Sequence, residues 1–262
     1  MGKRGLDLKM QVLVFDIFGD LAHFRKFFTT SSPLTFPFPP PPTVRGIIGA
    51  ILGFGKEEYL EKTKDLAIGI GILSPIKKLR MGLNLVFTKG SSNNFDPTLI
   101  SSRKAGGEPR TQVKAEFVKD PKYRIYVSAK EEFFNNLMEM IKNHQTYYTV
   151  SLGLSELLAD FSYFSVYQGY YQKESEKADS VIPLDVVDEI NIERLQKIGK
   201  ERIPTLMDTD RTVKKYEDVI FNIEGGPIYG RFKDLLKLEN GDVIHLWRSQ
   251  EFTLEPIRRY EP

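Results

Sequence analysis

The sequence predicts an α+β chain: a ferredoxin-like (RRM-like) domain with a projecting β-hairpin, followed by a smaller β-rich part. Three observations predict it. Apolar runs and amphipathic segments over residues 1–171 fall in the order β-α-β-β-α-β. Two runs that alternate with period two face each other across a long polar loop, which marks a hairpin inserted at about 77–118. Beyond 180, short apolar pieces recur between turn dipeptides, so 181–262 reads as a second, β-rich unit.

Each element has its own signal. Residues 11-QVLVFDIF-18 are β-branched and aromatic, and too short for a helix before Gly19, so they form a buried strand. After a run of four prolines, Thr43 is the expected N-cap of a helix. Val44, Ile47, Ile48, Ile51 and Leu52 make its apolar face, and Gly53 ends it. A short polar helix in 56-KEEYLEKTKD-65 precedes the buried strand 66-LAIGIGIL-73. Leu79, Met81, Leu83, Leu85 and Phe87 alternate with polar positions, as do Thr111, Val113, Ala115 and Phe117. These two runs pair across the polar loop 88–109, which is expected to gain order only in an assembly. Strand 122-KYRIYV-127 leads into a helix over 131–143 with Phe134, Leu137, Met138 and Ile141 on one face, and His144 at its C-terminal end. Strand 161-FSYFSVYQGYY-171 closes the first domain, and the polar run 172-QKESEKADS-180 reads as its boundary. Pieces around 181–187, 218–223 and 243–247 follow, broken by Gly225-Gly226-Pro227 and Asn240-Gly241.

Composition narrows the chemistry. The 262 residues are 41% hydrophobic and 27% charged, with net charge +2, so any anion site must come from clustering and not from the total. With no cysteine and three scattered histidines, disulfides, thiolate nucleophiles and zinc sites are not expected. No metal or cofactor is predicted. The N-terminus lacks a cleavage signal and no apolar run approaches the ~20 residues of a membrane span, which predicts a cytoplasmic protein that contacts no membrane.

One stretch, 18-FGDLAHFRKFFTTSSPLTFPFPPPPTVRGIIGAILG-53, concentrates unusual features. Its 23-HFRKFF-28 mixes cations with aromatic rings, a combination that suits phosphates and unstacked bases and equally suits a solvated loop with its phenylalanines in the core. The prolines stiffen the loop and aim it at a helix N-terminus, which itself favours anions. Gly46, Gly49 and Gly53 form a smooth stripe on the helix, and each interior glycine costs ~1 kcal/mol. Either a packed element or a partner must lie against that stripe.

Three stretches, 15–53, 110-RTQVKAEFVKDPKYRIYV-127 and 147-YYTVSLGLSELLADF-161, resemble the CRISPR-associated Cascade subunit conventionally numbered five, of the RAMP superfamily, and its Hmari (subtype I-B) branch in particular. The resemblance implies a RAMP domain with a thumb hairpin and a non-catalytic role. Such a subunit binds the 5′ handle of the crRNA and caps the backbone of the interference complex, next to the backbone and large subunits. Target DNA near the PAM is a further implied contact. By position, Arg25, Lys26 and Arg45 would meet phosphates, and Phe24, Phe27 and Phe28 would stack on bases. Lys78, Arg80, Arg110, Gln112 and Lys114 would line the thumb. At 152-LGLSE-156, Leu154 and Ser155 stand where some relatives have basic residues. One alternative is a metal-independent endoribonuclease that processes precursor crRNA, which needs a Tyr, a Lys and an adjacent His. Lys77-Lys78 have no such histidine beside them. Another is a purely structural assembly subunit.

Overall fold

Antiparallel pairing organises the molecule, whose computed structural model describes residues 9–29, 32–86, 110–191, 194 and 196–248. In chain order the elements are β1 (Lys9–Gly19), β2 (Leu21–Ala22), β3 (Phe24–Arg25), β4 (Thr35–Phe36), α1 (Pro41–Leu52), α2 (Tyr59–Lys62), β5 (Ala67–Ile72), β6 (Lys77–Val86), β7 (Arg110–Lys119), β8 (Lys122–Ser128) and α3 (Glu131–Lys142). They continue as β9 (Ala159–Ala178), β10 (Ile182–Pro183), β11 (Val187–Ile190), β12 (Ile198–Met207), β13 (Val213–Asn222), β14 (Ile228–Leu238) and β15 (Val243–Ile244). A seven-stranded sheet runs β11-β14-β9-β1-β8-β5, with β15 added on β14. Two three-stranded sheets, β10-β13-β12 and β2-β7-β6, and the pair β3-β4 accompany it. The predicted loop 88–109 lies outside the described residues.

β1 is apolar on both faces because both faces are covered. Leu13, Phe15 and Ile17 join the core under α1 and α3, with Val44, Ile47, Ile48, Ile51, Phe134, Leu137 and Ile141. Met10, Val12 and Val14 point the other way and pack on Leu236, Leu238, Ile244 and Leu246. Truncating Ile48 or Ile51, both fully buried, to alanine would cost about 2–5 kcal/mol each. Asp16 interrupts the run, and a buried carboxylate needs a partner. Arg124 of β8 supplies one, with Nε 2.8 Å and Nη2 3.2 Å from its two oxygens. The Phe164 ring lies 3.7 Å from that guanidinium.

Two expectations are corrected, and one open alternative is decided. The first is the start of α1, which lies at Pro41, two residues before Thr43, with Pro40 as N-cap. Proline's fixed φ suits the first helical positions, where its missing N–H costs nothing. The Thr43 and Val44 N–H groups both reach the Pro40 carbonyl, at 2.8 and 3.1 Å. The helix therefore begins without a free N–H for an anion. The second is the boundary at 172–180, whose first seven residues are the second half of β9, paired with β14 from Gln172↔Leu235 to Ala178↔Ile228. The run is polar because it alternates on a half-exposed strand that buries Ser175 and Ala178. The alternative decided is the glycine stripe of α1, where a packed element of this same chain and not a partner lies against it, through two tyrosines. A Cβ on Gly49 would stand 2.8 Å from Tyr59 Cβ, and one on Gly53 2.6 Å from Tyr147 Cγ. Gly53 also has φ 78°, which closes the helix in the left-handed region.

The remaining readings of local structure agree with the elements found. β6 and β7 pair antiparallel from Lys77↔Lys119 to Val86↔Arg110. α3 buries Phe134, Leu137 and Ile141, and Met138 is half-buried. His144 follows the helix with φ 54°, its Nε2 3.0 Å from Asp160 and its ring stacked on Phe161.

Candidate nucleic-acid interface

The segment from His23 to Thr29 is held at both ends. His23 donates its N–H to the Leu152 carbonyl at 2.9 Å, and its Nδ1 donates to the Glu116 carbonyl at 2.7 Å. Phe24 pairs with Phe36 and Arg25 with Thr35 across β3 and β4. The Thr29 hydroxyl and N–H both return to the Lys26 carbonyl, at 2.8 and 3.3 Å, and close a tight turn. Its two central residues are Phe27 and Phe28, which are 55% and 57% exposed. Arg25 is exposed as well, with Nη2 3.1 Å from the Thr29 carbonyl. Two adjacent phenylalanines at a turn tip, flanked by a guanidinium, leave apolar ring faces open beside positive charge.

Three sequence-derived candidates are not on that surface. Phe24 is buried with its ring 6.0 Å from Tyr123, so it belongs to the core. Lys26 is buried, its Nζ 2.5 Å from Glu201 Oε2 of β12 and over the Phe36 ring. Arg45 is buried too and donates to the Leu66 carbonyl at 3.0 Å. Burial pushes the Arg45 pKa down to about 10, and Asp65 partly offsets it. Both cations are spent inside the fold, one closing β12 against the loop and one tying α1 to the start of β5.

The hairpin carries a second polar surface. Its register puts Lys78, Arg80, Gln112 and Lys114 on one face of the ribbon, together with Glu116. Arg110 pairs with Val86 in the same register; its side chain lies outside the described residues. Lys78 Nζ is 2.8 Å and Arg80 Nη2 3.5 Å from the buried Glu116 carboxylate. Burial opposes charge on Glu116, but Lys78, the Thr35 backbone and Arg80 hold its carboxyl below the usual range. Arg80 stays 74% exposed and Lys114 and Gln112 are exposed, so they can reach a ligand while Lys78 is half committed.

Sequence reasoning missed Tyr216 of β13. Its ring centroid is 4.7 Å from that of Phe27, which in turn is 5.2 Å from Phe28. The signal available was 214-KKYE-217, a second cation-aromatic mixture. The turn at 152-LGLSE-156 acts as a brace: Gly153 has φ 107°, and a Cβ there would stand 1.9 Å from the His23 carbonyl oxygen. Among the described residues no group of three His, Asp or Glu side chains could hold a metal ion, and no helix is long and apolar enough to cross a membrane.

A family model described as CRISPR-associated protein (Cas_Cas5) matches residues 12–201, well over half of the chain. The chain belongs to this Cas5 family. No curated protein matches it. Among solved structures it is similar to a CRISPR protein from Archaeoglobus fulgidus, with TM-score 0.51 and 17% identity over 91% of this chain and 100% of that one. It is also similar to a chain of a CRISPR RNA-guided surveillance complex, with TM-score 0.50 and 11% identity over 82% of this chain and 91% of that one. At these identities the likeness is one of fold, a mostly antiparallel β architecture with few helices.

Proposed function

We propose that this chain is a non-catalytic subunit of a type I CRISPR interference complex, of the Hmari branch, that binds the 5′ handle of the crRNA. In this reading β1, α1, β5, β8, α3 and β9 form a ferredoxin-like RAMP domain and β6–β7 its thumb. The chain caps the backbone, beside the backbone and large subunits, in the cytoplasm. The observation that carries the reading is the turn tip of Arg25, Phe27 and Phe28: open rings and a guanidinium, held rigidly at both ends in a chain of this family. Bases would stack on the rings, and Arg25, with Arg80 and Lys114 of the ribbon, would meet phosphates.

The test is binding of repeat-derived single-stranded RNA to the purified protein at two salt concentrations. Arg25→Glu should weaken binding across RNA sequences and flatten its salt dependence by roughly one unit of slope. Lys62→Glu on α2 changes the charge equally and should leave affinity near wild type. Equal losses in both variants, or none in either, would reject the turn as the RNA site.

A further inference from the structure

The β12–β13 hairpin was assigned no role by the sequence, yet it is fastened to the basic-aromatic turn at two points. Lys26 pairs with Glu201 of β12 in a protected site, with side chains only 11% and 17% exposed. Phe27 packs against Tyr216 of β13 with the rings inclined at 45°. Tyr216 is register partner to Pro204, and Arg202 pairs with Asp218 two residues along the same face. The Arg202 side chain is exposed, and Asp218 is taken by Lys200, 3.6 Å away. Half-exposed Tyr216 therefore stands between an open Phe27 ring and a strand that displays a guanidinium.

Geometry and charge select the occupant. Phe27 is 55% exposed and Tyr216 half-exposed, so the inclined pair keeps ring surface on which a flat, unsaturated group can lie. Each element also displays an exposed guanidinium, Arg25 two residues before Phe27 and Arg202 on the face of β12 that Tyr216 shares in the register of β13. Alternating aromatic faces and cations suit a single-stranded polynucleotide, whose bases stack and whose phosphates are anionic. We propose that the β12–β13 hairpin is the second wall of the RNA site. Tyr216 and Phe27 together take one unstacked base, and Arg202 takes the phosphate beside it. This rests on the RNA-binding reading above and extends the site from the β3-β4 pair to the β10-β13-β12 sheet.

The probe is a short fluorescein-labelled single-stranded RNA copying the repeat, titrated into the purified chain and followed by anisotropy, with melting measured for every variant. Tyr216→Ala should weaken binding about 5- to 150-fold, the range a lost base–aromatic stack gives. Tyr216→Phe keeps the ring and should bind as wild type. Phe27→Ala combined with Tyr216→Ala should lose far less than the product of the two single losses, because one base is shared. Arg202→Gln should flatten the salt dependence by roughly one unit. Phe164→Ala, an exposed aromatic on β9, serves as the control and should bind normally. If Tyr216→Ala lowers the melting temperature, Tyr216→Leu decides: recovery of stability without recovery of RNA binding supports the proposal, and recovery of both overturns it. If Arg25→Glu loses RNA while a stable Tyr216→Ala does not, the second wall is wrong and the RNA reading stands. If neither loses RNA, the RNA reading itself fails and takes the second wall with it.

Discussion

Reversing the charge of Lys26 tests the structure where it departs most from the sequence. On a surface loop, Lys26→Glu would leave stability within about ±0.5 kcal/mol and remove one phosphate contact. The structure places Nζ 2.5 Å from Glu201 Oε2, with the lysine also above the Phe36 and Phe28 rings. Breaking a buried ion pair by removing one partner costs about 3–5 kcal/mol, because the other charge is left desolvated. Lys26→Glu adds carboxylate repulsion, so a loss of at least ~3 kcal/mol is expected, a drop in Tm on the order of 10 °C for a chain of this length. Replacing the pair together, Lys26→Met with Glu201→Leu, should come within about 1 kcal/mol of wild type, since two apolar groups of similar volume leave no orphaned charge. Urea unfolding of wild type, Lys26→Met, Glu201→Leu and the double variant closes a double-mutant cycle and isolates the coupling. A Lys26→Glu protein that unfolds with wild type and loses RNA as Arg25→Glu does would refute the burial argument and return Lys26 to the binding surface.

Other outcomes follow from single features. Burial pushes the His245 imidazole down to about 4, with Arg248 and Lys215 in the same direction and Glu217 opposing. The folded state holds it neutral while the unfolded chain protonates it below about 6.5, so its contribution is complete above that pH and is lost as pH falls toward 4. Unfolding free energy should fall by about 2 kcal/mol from about pH 7.5 to about pH 5, and His245→Gln should remove most of that slope. Gly153→Ala should cost about 3 kcal/mol or more, read as a lowered Tm, because φ 107° and the His23 carbonyl both exclude a Cβ. Incubation with labelled repeat RNA in EDTA should yield no discrete product. A product that disappears in His23→Ala would assign cleavage to this chain, although the His23 ring is committed to the Glu116 carbonyl.

What the sequence made legible is what periodicity encodes. The double-sided apolar run of β1, the i, i+3, i+4 face of α1 and the period-two ribbon are local patterns set by burial on one or two faces. Even the shared face of Lys78, Arg80, Gln112 and Lys114 came from strand alternation, once the register proved simple. Long-range pairing was not legible. The second half of β9 looked like a linker because its partner strand β14 begins only at Ile228. Lys26 looked solvated because Glu201 lies 175 residues away. Arg45 carried a readable warning: it stands three residues before Ile48, on the flank of the apolar face, where a long cation can stay only by finding a buried acceptor such as the Leu66 carbonyl. The prolines stiffen the approach to the helix as the sequence suggests, but Pro41 and Pro42 are also part of its first turn.

The most direct measurement of the central claim is photo-crosslinking from the 5′ handle. A crRNA carrying 4-thiouridine at successive handle positions would be assembled with this chain and its partner subunits, irradiated, digested and sequenced by mass spectrometry. The account predicts adducts on the peptide that holds Phe27 and Phe28, and at the same handle position on the peptide that holds Tyr216, since the two rings meet at 4.7 Å. Adducts from every handle position on other subunits, with none on either peptide, would contradict it.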